Sequence, residues 1–285
     1  MPTTPIRTIT SSASSAAGTI FLFAHGAGFY KRDPVIRRLQ QQLPAPSSRF
    51  VTFDFSHHGS NQRVDAASSR VFYPTPESPH VILPDIEWSS TAVHEASMHA
   101  LRLRLHAEKT NQRLIGVDHS MGAAVLWLTE ALHSGTFDGL VLFEPINGYT
   151  READTGTSVA PPVYSKAVDI LAAVTLQRES ECRALARLRS FASWDPETLT
   201  VFLEGALLDQ PNGSVVLACH PKVEASLYCD TPMYVSETNA AAPHCRISIQ
   251  RGAHSRMLSS EMIAPIVAQL PYIYSMADPI PTHCM

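Results

Sequence analysis

Ser120 stands where a short apolar run, Leu114-Ile115-Gly116-Val117, breaks off and an alanine-rich helical pattern begins at Gly122. A strand, a tight turn and a helix with a serine at the apex push the hydroxyl out of the backbone and toward the positive end of the helix. That layout suits a nucleophile. The usual pattern for such a turn is G-x-S-x-G, and here it reads Asp118-His119-Ser120-Met121-Gly122. Asp118 therefore occupies a crowded position, and its carboxylate needs extra room. The plainer reading of the same residues is a strand-to-helix junction in which Asp118 caps the helix and Ser120 is ordinary.

A serine hydroxyl attacks a carbonyl only when a base takes its proton. The chain has thirteen histidines, so residue type alone selects none of them. His254 is singled out because it follows an apolar run and a glycine, in Gly252-Ala253-His254. An ordinary imidazole pKa of about 6.5 suits base work near neutrality. A carboxylate would orient the ring and stabilise its charged form. Glu144 and Glu237 compete for that role, each at the end of an apolar run after Ser120. Donors for a developing oxyanion would be the backbone N–H of Met121 and that of Ala27, which follows His25-Gly26. His57 and His58 are adjacent on a turn and lack a third ligand at a recognisable spacing, so no metal site is expected. Asp54 likewise gives no ligand pattern, and His94, Glu95 and His99 read as solvated helix positions. No phosphate loop or G-x-G-x-x-G run is present, and no cofactor is expected.

The positioning elements follow from periodicity and punctuation. Strands are expected at 19–24, 50–55, 114–117 and 140–143, and again at 233–236 and 245–250. Helices are expected at 34–43, opened by Asp33-Pro34, at 88–107, at 122–133 and near 265–270. A Pro/Ser-rich stretch at 66–84 reads as loop. Strands alternating with helices imply a mostly parallel sheet covered on both faces, with the chemistry at the carboxyl ends of the strands. The alternation breaks after Tyr149, where a Gly/Ser/Pro hinge leads into helices at 163–189 and from Asp195-Pro196. The expected organisation is a core at 1–148 and 213–285 with a helical cap at 149–212.

Composition narrows the class. The chain has 285 residues, 45% of them hydrophobic and 17% charged, with a net charge of -4. No basic patch points to nucleic acid, and the apolar runs are too short to span a bilayer. The five cysteines form no C-x-x-C pair and read as reduced thiols. The N-terminal stretch lacks the apolar core of a signal peptide, and the ending His283-Cys284-Met285 is not the usual peroxisomal tripeptide. An intracellular, cytoplasmic location is the resulting expectation. Oligomeric state is not legible.

Taken in order, these motifs resemble the α/β-hydrolase superfamily from Thr19 to Leu270. His25-Gly26 resembles the oxyanion loop, Asp54 through Ser60 the D-x-x-x-H-G-x-S turn, Ser120 the nucleophile elbow and Gly252-Ala253-His254 the histidine motif. The Phe143-Glu144-Pro145-Ile146 segment and the cap resemble lipase-like members of yeast peroxisomes and of fungal toxin-biosynthesis clusters. The resemblance implies an α/β-hydrolase fold with an inserted cap, and favours Glu144 over Glu237 as the acid. It implies a serine hydrolase acting on an ester, thioester or lactone of an apolar acyl substrate, a lipid or a secondary metabolite. The fold also hosts cyclases, acyltransferases, carbon–carbon bond-cleaving enzymes and non-catalytic receptors, so those remain alternatives.

Overall fold

The computed structural model describes residues 18–28, 34–43, 48–61, 69–75, 78–84, 86–146, 148–150, 195–209, 215–230, 233–236, 243–252, 255 and 273–278. The chain opens with β1 (Thr19–Phe23), α1 (Pro34–Gln42), β2 (Ser48–Thr52), β3 (Arg70–Thr75) and β4 (Ser78–Ile82). Then come α2 (Trp88–Thr110), β5 (Arg113–His119), α3 (Ser120–Leu132), β6 (Gly139–Phe143) and β7 (Gly148–Thr150). The last third holds α4 (Pro196–Ala206), β8 (Leu207–Asp209), β9 (Val215–Leu217) and α5 (Pro221–Cys229). It closes with β10 (Tyr234–Ser236), β11 (Arg246–Gly252) and β12 (Ile273–Asp278).

Six strands form one sheet in the order β12-β11-β6-β5-β1-β2, and every neighbouring pair is parallel. A parallel sheet has helices on both faces, so its strands are apolar runs rather than alternating ones. Ile20, Leu22, Leu114, Leu140, Leu142, Ile247 and Ile249 accordingly lie in the core. On that face α3 is buried from Ser120 to Ala131, as its near-continuous apolar sequence requires. α2 packs on α3 through small residues, with Ala96 and Ala100 fully buried, and Ser97 Oγ lies 3.2 Å from Thr129 Oγ1. The opposite face is covered around Ile36 of α1.

The Asp195-Pro196-Glu197 signal works as expected: Asp195 accepts from Thr198 N at 3.0 Å, with proline in the first turn of α4. Arg38 of α1 ties to the same end, on Asp195 at 2.7 Å and Glu197 at 2.8 Å.

Four features differ from the sequence expectation. The stretch read as loop at 66–84 contains the antiparallel hairpin β3–β4. Its prolines are tolerated because an isolated hairpin has two free edges. Strand β10 does not join the main sheet but pairs with β7, and β11 lies directly beside β6. Helix α3 starts at Ser120 rather than Gly122. Finally, β7, the antiparallel pair β8–β9, α5 and the edge strand β12 were not anticipated. Pro221 behind His220 is the start signal for α5, since His220 Nδ1 accepts from Lys222 N at 3.2 Å. The expected helices at 163–189 and 265–270 lie outside the described residues. No described helix is long and apolar enough to cross a membrane.

Candidate active site

Strand β5 delivers Ser120 at its carboxyl end, and the turn is sharp because Ser120 takes φ 56°. A non-glycine residue in that region costs about 1–3 kcal/mol and persists only where its surroundings enforce it. They do so here. A Cβ on Gly122 would lie 1.6 Å from the Ala24 carbonyl oxygen and 2.5 Å from the Asp118 carboxyl carbon. Only glycine lets α3 leave the strand this closely. Asp118, in the place expected for a glycine, is accommodated by two backbone donors. Its carboxylate accepts from Ala24 N through Oδ2 and from His119 N at 2.7 Å through Oδ1.

Glu144 ends the neighbouring strand β6 and has φ 44°, a second strained turn beside the first. Its amide donates to Gln250 O at 2.8 Å, and its carboxylate Oε1 accepts from Gly252 N at 2.8 Å. The carboxylate is buried, 7% exposed, so the Gly252 N–H stands in for water at Oε1. Ile146 N returns to Ser120 O at 3.4 Å, closing the two turns onto each other. His119, the residue before Ser120, registers with Phe143, the residue before Glu144. Burial holds its ring below the ordinary histidine pKa, and the Glu144 charge opposes that shift.

The oxyanion-loop candidate follows β1. Ala27 is buried and Gly28 takes φ 73°. His25 Nε2 accepts from Phe55 N at 3.1 Å, so the proton sits on Nδ1, which donates to Gly26 O at 2.9 Å. Burial pushes the His25 pKa down to about 4. His58, fully buried beside it with ring centroids 5.2 Å apart, is pushed down to about 3 by burial and by His25. Both rings are neutral at physiological pH. Asp54 closes the turn below them: its Oδ2 accepts from Ser60 N at 2.9 Å and Ser60 Oγ at 2.7 Å. Asn61 fills the last position of the eight-residue pattern that begins at Asp54, and its Nδ2 donates to Asp54 O at 2.6 Å.

Against solved structures the chain aligns over nearly its whole length. It is similar to the peroxisomal alpha-beta-hydrolase Lpx1 from Saccharomyces cerevisiae, with TM-score 0.62 and 16% identity over 94% of this chain and 71% of that one. The chain has the α/β-hydrolase fold. Two further α/β-hydrolase-fold structures align comparably. For E-2-(acetamidomethylene)succinate hydrolase the TM-score is 0.60 at 17% identity, over 94% of this chain and 86% of that one. For the thioesterase domain from the curacin biosynthetic pathway it is 0.57 at 14%, over 93% and 85%. No protein-family model matches the sequence, and no curated protein matches it.

Within this α/β-hydrolase fold the described residues bring Ser120, Met121, Glu144 and the 24–28 loop to one end of the sheet, at the ends of β5, β6 and β1. His254 and Glu237 lie outside the described residues, as does the 163–189 part of the expected cap. Gly252, two residues before His254, is the residue that Glu144 holds. Sequence reading undervalued Glu95 and His99. Glu95 accepts from Ser56 N at 2.9 Å and from Ser56 Oγ, and His99 stacks on Phe53 at 4.2 Å. Glu95, Trp88, His58 and Met121 line one pocket too small to hold a water molecule. Among the described residues no group of three or more His, Cys, Asp or Glu side chains is arranged to hold a metal ion.

Proposed function

We propose that the chain is a serine hydrolase that cleaves an ester, thioester or lactone of an apolar acyl substrate through an acyl-serine intermediate. The observation that carries this reading is the 2.8 Å hydrogen bond from Gly252 N to Glu144 Oε1. It holds the carboxylate beside the nucleophile turn against the segment that leads into His254. His254, two residues after Gly252 in the sequence, is the base this reading assigns.

His254 takes the Ser120 proton as Oγ attacks the acyl carbon. The carbonyl electron pair moves onto oxygen, and the N–H groups of Ala27 and Met121 stabilise the oxyanion. Collapse breaks the bond to the leaving group, which takes the proton from the imidazolium. Water, deprotonated by His254, then attacks the acyl-serine, and the proton returns to Ser120. Glu144 fixes the imidazole orientation and stabilises its cationic form. The structures that share this fold include a hydrolase and a thioesterase domain, which fits acyl transfer at the coarse level. Phe202, 6% exposed on α4, and Leu203 beside it come from the segment expected as the cap, and in this reading that segment supplies apolar side chains toward the acyl group.

A fluorophosphonate probe tests the reading. Stoichiometric labelling at Ser120, absent in Ser120→Ala, together with p-nitrophenyl ester turnover lost by about 10⁴-fold or more in that variant, is the expected result. An unlabelled but folded protein overturns it in favour of a receptor. Labelling without turnover of esters, thioesters or lactones points to cyclase or transferase chemistry.

A further inference from the structure

We propose that Asp118 is a positioning residue that sets the spacing of the oxyanion hole, a role that rests on the serine-hydrolase reading. The β1–β5 backbone ladder registers from Thr19↔Arg113 to Leu22↔Gly116. Beyond it the two strands diverge into the oxyanion loop and the nucleophile turn. At that point the link is a side chain. The Asp118 carboxylate takes the N–H of Ala24, which opens the His25-Gly26-Ala27 loop, and the N–H of His119, which precedes Ser120.

The clamp is tight on every side. Ala24 is fully buried and Asp118 is 5% exposed. Gly122 leaves no slack, because its Cα faces both the Ala24 carbonyl and the Asp118 carboxyl. The two proposed donors, Ala27 N–H and Met121 N–H, hang on opposite sides of this link. Ala27 follows Ala24 by three residues and Met121 follows His119 by two. A carboxylate is the side chain that can accept from two N–H groups at once at this length. A carboxamide offers one acceptor oxygen and turns an NH₂ group toward the other donor. A glycine at 118 offers nothing.

The effect belongs to the transition state. The substrate carbonyl is held by the pocket, whereas the oxyanion needs both donors at about 2.7–3.1 Å from its final position. Displacing one donor should therefore lower kcat and leave KM nearly unchanged.

The experiment compares wild type with Asp118→Asn and Asp118→Gly. It measures fluorophosphonate labelling rate, kcat and KM on a p-nitrophenyl ester, and affinity for two inhibitors. One is an alkyl trifluoromethyl ketone, which forms the tetrahedral adduct. The other is the matching methyl ketone, which resembles the ground state. Both variants should lose about 10- to 100-fold in kcat and labelling rate, less than the roughly 10²–10³-fold seen when a donor is deleted outright. Trifluoromethyl ketone affinity should fall in proportion, with KM and methyl ketone affinity shifted by less than about twofold. Asp118→Gly removes a buried carboxylate and adds no bulk beside Gly122, so it carries the test if Asp118→Asn does not fold. Unchanged kcat and trifluoromethyl ketone affinity in a folded variant overturn the inference, whatever happens to thermal stability. Failure of wild-type Ser120 to label overturns the serine-hydrolase reading, and the inference falls with it.

Discussion

Two buried polar corners sit at the carboxyl end of this sheet, and they resolve the cost of burial differently. In the first, Ser120, Asp118 and Glu144 are held by backbone: both turns adopt positive φ, and the two carboxylates accept N–H groups from Ala24, His119 and Gly252. In the second, His25 of the 24–28 loop packs on His58, with Asp54 close to both. There the imidazoles lose their charge instead, falling to about 4 and about 3. The backbone donors offset the cost of burying those two carboxylates. His25, edge-on to Phe55, and His58, edge-on to Trp88, are each packed against an aromatic ring and against one another, as scaffold residues would be. The contrast explains why abundance of histidine says nothing about catalysis here, while two strained turns on adjacent strands say a great deal.

The largest effects should fall on the first corner. Glu144→Gln keeps the shape of the side chain and loses its charge. Turnover of a p-nitrophenyl ester should drop by about 10³–10⁴-fold with the fold intact by circular dichroism, because an uncharged partner no longer stabilises the imidazolium. Glu237→Gln should change turnover by less than about threefold. The reverse ranking would assign the acid to Glu237 and break the comparison at its centre. Next in size is Gly122→Ala. A methyl group cannot share space with a backbone oxygen 1.6 Å away, and neither β1 nor α3 is free to retreat. A loss of about 4 kcal/mol in urea denaturation, or failure to fold, is expected. A loss under about 1 kcal/mol would mean that the elbow is looser than its contacts imply.

The second corner should reveal itself through pH. Unfolded histidines titrate near 6.5, while His25 and His58 in the fold titrate near 4 and near 3. The unfolded chain therefore binds more protons between these values, and stability rises with pH through that range. It is fully present above about 6.5 and is lost progressively as pH falls toward the folded values. Each ring should contribute about 2 kcal/mol of destabilisation at pH 5 relative to pH 8. The groups facing His58 are His25 and His57, whose charges oppose its protonation, and Asp54, which favours it. His58→Gln should flatten the dependence by roughly one ring's share in denaturation at the two pH values. An unaltered pH slope in that variant would show that His58 is charged or exposed in the fold.

Much of this was legible before any coordinates. The apolar runs of β1, β5 and β6 and the serine after β5 are local patterns, and the Asp195-Pro196-Glu197 start of α4 is chemistry within one turn. Elements that depend on distant partners were not legible. Strand β10 has the composition of a sheet strand, yet its pairing with β7 is fixed by tertiary contacts about 85 residues apart in the chain. Hairpin β3–β4 was hidden by Pro and Ser, because propensity cannot tell a loop from a hairpin with two edges. Asp118 was visible as a departure from pattern. The hydrogen bond it makes was not, since the Ala24 amide it accepts from lies 94 residues away.

The smallest expected effect sharpens the division between the corners. Glu95 sits on α2 and receives Ser56 N and Ser56 Oγ, so it belongs structurally to the histidine side even though it shares a pocket with Met121. If that side is scaffold, Glu95→Ala should leave a partly buried N–H unpaired and cost about 1–2 kcal/mol in urea denaturation at pH 8. The fluorophosphonate labelling rate at Ser120 should then stay within about twofold of wild type. A tenfold loss of labelling in a variant that keeps its stability would move Glu95 to the catalytic side. The two corners would then be one site, coupled through Ser56 and the residues that surround Glu95.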